Sequence, residues 1–485
     1  MEIIDPKIQQ MLEEAIAMHH LGRVAEAETA YREILKSEPD NAVVHNNLGI
    51  AILAQKRTDE AIKHLKRALE ISPEYLEAHN NLGNALRESG DHELACMAFE
   101  HALEVNPQFV QALGNLGNTL LDLGKLDEAL ETYDKAIALM EEIPELHYNQ
   151  GRILYELGRW EDAEDAFRQT LKLNPSYPLA HWNLSHVLLL QGRFSEGWPE
   201  FEWRWQCPGF TTQIPDFGVP RWNGASLKDR TILLYGEQGF GDTIQFVRYA
   251  PVLAAGGAKI VLLCQSELAR LAESVEGVET VTTEPTDLPH FDVHSPLMSL
   301  PLLVGSEVDT VPADVPYVSA PVEGTDLAAA EDGYKVGLAW SGRSTHALEQ
   351  QRSLDADALA PLLDIPGCTF FALHDDPEAA GLAGSALAGH ITDLSDSLTD
   401  FADTARIIDQ LDLVICVDTA VGHLAGALGK PVWVLLPKIC DWRWMIDRED
   451  SPWYPSMRLF RQQDPGEWDP VVENVRTALT QAAGA

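Results

Sequence analysis

Residues Asn80 to Leu86 read N-N-L-G-N-A-L, and the frame returns from Gly114 to Leu120 as G-N-L-G-N-T-L. Counting outward from Asn81, asparagine also stands at 47, 115, 149 and 183, one every 34 residues. Glycine keeps that period at 49, 83, 117 and 151, and in a second column at 22, 90, 124, 158 and 192. Alanine recurs at 27, 61, 95, 129 and 163, followed four residues later by Tyr31, Leu65, Phe99, Tyr133 and Phe167. Proline at 39, 73, 107 and 175 lacks the N–H needed to continue a helix and closes the units. Self-similarity at this length describes stacked helical hairpins, each burying its apolar face against its neighbours.

Thirty-four is the tetratricopeptide period. Units begin near Ile8, Ala42, Leu76, Val110, Pro144 and Pro178, so residues 1–205 are expected to form an α solenoid of about six repeats. Asn47, Asn81, Asn115, Asn149 and Asn183 then form a column of amides, each offering a donor and an acceptor. Such a column suits the backbone of an extended acceptor peptide; its alternative is hydrogen bonding within the hairpins. Asn46, Asn80, Asn84 and Asn118 thicken the lining, while the first unit carries Glu13 instead and reads as a cap. After Gly192 the period gives way to Trp198, Phe201, Trp203 and Trp205. This cluster is expected to pack the last helices onto the next domain, with sugar stacking as its alternative.

A net charge of −40 over 485 residues argues against a general affinity for nucleic acid or an anionic membrane. No apolar run approaches the ~18 residues of a spanning helix, and no basic-then-apolar leader opens the chain. Six scattered cysteines without a C-x-x-C pair point to neither a zinc site nor a disulfide framework. The expectation is a cytoplasmic protein with no metal and no resident cofactor. Its oligomeric state is not readable from the chain.

From Arg230 the pattern becomes short apolar strands alternating with helices. After a connector at 206–229, residues 230–325 are expected to form an acceptor-side Rossmann-like lobe and 334–485 a donor lobe. Two doubly wound α/β lobes place a ligand cleft at their strand ends. The segment around Pro312–Gly333 reads as the inter-lobe linker, and 467–482 as one helix crossing back over both lobes.

Two loops carry the chemistry. E-Q-G-F-G-D-T (Glu237 to Thr243) follows the first strand and opens a helix. Gly241 lets backbone approach a ligand closely, and Asp242 can either take a proton from an acceptor hydroxyl or cap the helix. D-T-A-V-G-H-L-A-G-A-L-G-K-P-V (Asp418 to Val432) also runs from a strand into a helix, whose free N–H groups suit a phosphate. Thr419 adds a hydroxyl, and His423 can reach phosphate or ribose. Lys438 is a further phosphate contact or a solvated lysine, and His374, at a strand end, is placed to touch a nucleotide. His294, which reads as following another short strand of the first lobe, is a rival base, an acceptor-loop residue or a structural histidine.

In this order the two loops resemble the heptosyltransferase family over roughly residues 230–480. The resemblance implies a glycosyltransferase B fold and an inverting, metal-independent transfer. It makes Asp242 the general base and gives Asp418, Thr419, Gly422 and His423 the donor's phosphates. The asparagine column resembles that of the O-linked N-acetylglucosamine transferases. Joined to repeats, the whole chain is similar to bacterial protein O-glycosyltransferases, including those acting on flagellin. That implies a nucleotide-sugar donor (a CMP-nonulosonic acid or a UDP-sugar) and Ser or Thr of an acceptor protein, flagellin among them.

The chain departs from the family at Ala420 and Val421, where a small polar residue and proline are usual. The family's basic residue near the diphosphate has no clean match; Arg343 and Arg352, beyond Trp340 of A-W-S-G, are the candidates. C-D-W-R-W and S-P-W-Y-P are additions, whose Arg443, Trp444 and Trp453 either shape a sugar or base pocket or pack the lobe interface. Two other functions fit: a non-catalytic scaffold with a degenerate nucleotide-sugar half, and a transferase directed at a glycan.

Overall fold

The computed structural model describes residues 6–210, 212, 215–327, 333–342, 352–376 and 380–484. They fall into two compact units, Met1–Ala180 and His181–Ala485.

The first unit holds five helical hairpins: Pro6–His20 with Val24–Ser37, Ala42–Leu53 with Thr58–Ile71, Leu76–Ser89 with His92–Val105, Val110–Asp122 with Leu126–Leu139, and Pro144–Glu156 with Trp160–Leu173. The first glycine column and the large-residue column are two sides of one contact. A Cβ at Gly83 would stand 2.5 Å from Phe99, at Gly117 2.5 Å from Tyr133 and at Gly151 2.7 Å from Phe167. These rings are fully buried, and the missing methyl is the space each occupies. The second column supplies left-handed turns, such as Gly90 at φ 88°; where the period skips glycine, Lys56 takes φ 63° instead.

Replacing Gly83 with alanine should therefore destabilise the repeats by about 1–3 kcal/mol, overpacking outweighing the ~1 kcal/mol helix preference for alanine. Gly114→Ala is the control. Its added Cβ meets only Leu146, at 3.7 Å, so neutral or raised stability is expected in a urea titration of both variants.

In the second unit, helices Pro178–Leu190 and Phe194–Phe201 precede two parallel sheets. The period assigns this hairpin to a solenoid ending at 205, yet from His181 it packs with the lobes. Trp198 is the reason: 2% exposed, it donates to the Ser306 carbonyl at 3.2 Å. It also meets Trp442 edge-on at 5.3 Å, as the cluster's packing alternative anticipates.

The first sheet contains β1 Thr231–Tyr235, β2 Lys259–Leu263, β3 Val278–Thr282 and β4 Val293–Pro296 in the order β3-β2-β1-β4. The second contains β5 Tyr334–Ala339, β6 Cys368–Ala372, β7 Thr392–Asp393, β8 Leu413–Val417, β9 Val432–Leu436 and β10 Met457–Arg461 in the order β10-β9-β8-β5-β6-β7. Every pairing is parallel. Strand order reverses at β1/β4 and at β5/β8, and a sheet that reverses there opens a crevice at its strand ends. The two chemical loops leave β1 and β8, at those points.

Two expectations need correction. His294 lies inside β4, opposite Leu233 of β1, not after a strand. The terminal helix, Asp469–Ala483, buries Val471, Val475 and Leu479 in the second lobe's core with Val336 and Phe370. Its apolar face is spent on one lobe, so it does not cross back over both.

Candidate functional site

Asp242 is the third residue of helix Phe240–Phe246, and its Oδ2 accepts the Gly239 N–H at 2.9 Å, closing the helix start. Its Oδ1 accepts from Arg443 Nη2. That guanidinium, 8% exposed and 4.5 Å above the Trp442 ring, also donates from Nη1 to Asp441 Oδ1 at 2.9 Å and from Nε to Gln245 Oε1 at 2.5 Å. A second-lobe arginine thus ties down the first lobe's candidate carboxylate.

Gly241 also has a close protein neighbour. A Cβ there would stand 2.9 Å from His423 Cδ2 and 3.7 Å from Ala420 Cα. Its bareness admits the start of helix Ala420–Ala427, so the two loops touch. Gly422 in turn lets that helix lie on β8, where an added Cβ would meet Cys416 Sγ at 2.9 Å.

His423 is paired through Nδ1 with the Tyr454 hydroxyl at 2.9 Å and stacks on Trp444 with ring centroids 5.4 Å apart. Burial, then the Arg443 charge, push its pKa down to about 3, so it meets any ligand as a neutral ring. Asp418 moves the other way: burial and repulsion from Asp441 raise it to about 6, against the pull of Trp444, Arg352 and Arg443. The buried Thr419 hydroxyl has no hydrogen-bond partner. Burial also pushes Asp441 up, but Arg443 overrides it and holds that carboxyl below its ordinary range.

His186, on helix Pro178–Leu190, adds a third element. It packs edge-on to Trp182 at 4.5 Å, and its pKa falls to about 4, through burial first, with Asp441 opposing. The sequence reading passed over it, although it stands three residues beyond Asn183, on the same helix face. Also missed was Glu237, first residue of the E-Q-G-F-G-D-T loop. It is 5% exposed, its oxygens 2.9 and 3.0 Å from Arg204 Nη2, and it accepts the Met298 N–H at 3.1 Å. Burial raises its pKa to about 7 against the pull of Arg204.

Other candidates stand elsewhere. His294 is boxed by Phe217 (5.0 Å) and Tyr235 (5.8 Å), its pKa lowered by burial and then by Arg221. Trp340, 1% exposed, belongs to the second lobe's core; its backbone N–H donates to His374 Nε2 at 3.2 Å. Both brace the ends of β5 and β6. Lys438 faces Asp464 at 3.8 Å with its side chain 42% exposed, which favours the solvated alternative. Arg352 acts on Asp418 and His423 through its charge, and Arg343 lies outside the described residues. Trp453 is fully buried against Phe194 and Phe246, each 5.9 Å away, so it packs the interface.

In the repeats, Asn81 Nδ2 donates to Asn46 Oδ1 and Asn115 Nδ2 to Asn80 Oδ1, both at 2.9 Å. Each of these two column amides thus bonds to the preceding hairpin while staying half-buried. Among the described residues no helix is long and apolar enough to cross a membrane.

Comparison with known proteins finds matches in both halves. Tetratricopeptide repeat profiles match residues 10–33 and, in overlapping windows, 40–176. The profile of Glycosyltransferase family 9 (heptosyltransferase) matches residues 379–435, which include the β8 loop. Protein FlbA of Caulobacter vibrioides is 28% identical over 325 residues, covering 60% of this chain and 53% of FlbA. The chain thus spans about half the length of that relative. Among solved structures, MamA aligns at 24% identity and TM-score 0.32, covering 33% of this chain and 94% of MamA. Pseudomonas aeruginosa pilF aligns at 17% identity and TM-score 0.37, covering 41% of this chain and 89% of pilF. With repeats ahead of an α/β region that carries a family 9 segment, the chain is similar to tetratricopeptide-bearing glycosyltransferases.

Proposed function

We propose that the chain is an inverting, metal-independent protein O-glycosyltransferase of glycosyltransferase B fold. The observation that carries this reading is the meeting of its two loops. A carboxylate on one lobe, Asp242, stands beside the start of helix Ala420–Ala427 on the other, with Gly241 against His423. A Ser or Thr oxygen of the acceptor attacks the anomeric carbon of the donor sugar, and Asp242 takes its proton. The bond from that carbon to the nucleotide's phosphate oxygen breaks, and the leaving phosphate takes the electron pair. N–H groups at Thr419 to Gly422 receive its charge, aided by Arg352. The half-buried asparagines hold the acceptor backbone.

Flagellin as acceptor and a CMP-nonulosonic acid as donor extend this reading through whole-chain resemblance. Six cysteines free of disulfides agree with a cytoplasmic setting. The test is calorimetric titration of the purified chain with CMP, UDP, ADP and GDP. Selective CMP binding supports the nonulosonic donor, and UDP selectivity moves the donor to another sugar. Binding of none supports the scaffold alternative. Sugar on a co-expressed protein, rather than on a glycan, separates the remaining alternative.

A further inference from the structure

Arg443 engages an acceptor through each of its three nitrogens, Gln245 at Nε, Asp441 at Nη1 and Asp242 at Nη2. Asp242 and Asp441 pair with it, and Asp418 adds a third negative charge felt by the same guanidinium. Beside it lies a buried donor without a partner, Gln245 Nε2, on a fully buried side chain whose Oε1 accepts from Arg443 Nε; the Thr419 hydroxyl, at the start of helix Ala420–Ala427, is a second. Buried donors are normally satisfied, so these two mark a place for an acceptor-rich group. A phosphate has that chemistry: one oxygen for the guanidinium's Nη2, with further oxygens for the neutral donors.

We propose that Arg443 is a latch, storing its charge on Asp242 while the site is empty and passing it to the donor's phosphate when the donor binds. The inference rests on the transferase reading given above. Competition is built into the geometry. Nη2 engages the oxygen of Asp242 that is not spent on capping Gly239, so a phosphate drawing Nη2 away lifts the guanidinium from the oxygen that would accept the hydroxyl proton. The Asp441 contact at Nη1 and the Gln245 contact at Nε hold the rest of the side chain as a pivot. The candidate base is thereby occupied until donor is present, which disfavours deprotonating water in an unloaded site. Arg443 thereby stands in for the family's basic residue, which has no clean match in this chain, from a segment outside the family pattern.

The test is a double-mutant cycle read by calorimetric titration with the tightest of CMP, UDP, ADP and GDP. Arg443→Gln is expected to weaken binding at least tenfold. Asp242→Asn, by freeing the guanidinium, is expected to tighten binding about five- to tenfold, and by less than twofold when Arg443→Gln is also present. Simple relief of repulsion would tighten both backgrounds equally, and that outcome overturns the latch. So does undiminished binding by Arg443→Gln. Should Arg443→Gln not fold, Arg443→Lys replaces it; its point charge cannot span both partners, and the gain from Asp242→Asn should again shrink. Failure of the wild-type chain to bind any of the four nucleotides would sink the transferase reading and the latch together. Binding with a flat cycle sinks the latch alone.

Discussion

Asp242→Asn is expected to slow sugar transfer by about 10²–10⁴-fold while leaving the protein folded. The amide oxygen can still accept the Gly239 N–H, so the helix start survives the change. What it loses is the capacity to take a proton from the attacking hydroxyl. Initial rates at saturating donor and acceptor, with a urea midpoint recorded alongside, check both parts. Unchanged rates would remove Asp242 from the chemistry, and His294 would be the next base to examine. A variant that loses both rate and stability would mark the carboxylate as a lobe-binding residue only.

Arg204→Met should cost about 3–5 kcal/mol of stability, because it strands Glu237 as an unpaired charge with neither partner's side chain exposed to solvent. Arg204 also donates to Ser299 Oγ at 2.8 Å and from Nη1 to Glu202 at 2.7 Å, so a polar network loosens with it. Adding Glu237→Gln should recover much of the loss, since the amide is neutral and keeps an acceptor for the Met298 N–H. The cost also depends on pH. With its folded pKa raised from an ordinary 4.5 to about 7, Glu237 favours the fold fully below 4.5 and loses that contribution as pH rises through 7. Without Arg204 the folded value climbs further. The deficit of Arg204→Met should therefore be largest near pH 8 and shrink towards pH 6, measured as unfolding free energy across that range. A pH-independent deficit would mean that lost packing, not the stranded carboxylate, sets it.

What the chain made legible follows from how local each signal is. The Gly83–Phe99 contact repeats at a fixed offset in successive hairpins, so periodicity alone exposes it. Strand β8, L-V-I-C-V, is buried on both faces and reads as an unbroken apolar run. Strand β10, M-R-L-F-R, alternates with arginines, and β7 is only Thr392–Asp393; neither announces itself. The site divides the same way. Its two loops are contiguous motifs and could be found, and the C-D-W-R-W segment could be flagged. That Arg443 pairs with a carboxylate 201 residues earlier is set by lobe packing alone. The same holds for Glu237, whose partner Arg204 lies 33 residues before it in a segment legible only as aromatic-rich. For Trp340 and His374, motif position marks only a strand end; that the two rings pack edge-on against each other, 4.2 Å apart, is set by the fold.

The aromatic core shared by Phe194, Trp198, Phe246, Trp442 and Trp453 draws on the last hairpin and on both lobes at once. Those three pieces consequently form a single inheritable block. A cut ahead of Pro178 keeps the last hairpin, with Phe194 and Trp198, joined to the lobes. A crossover placed at the apparent domain border near residue 230 would carry away two of its aromatic walls. Diversification of what the repeats recognise, by recombination or by design, is therefore confined to the five hairpins upstream, and the sixth travels with the chemistry.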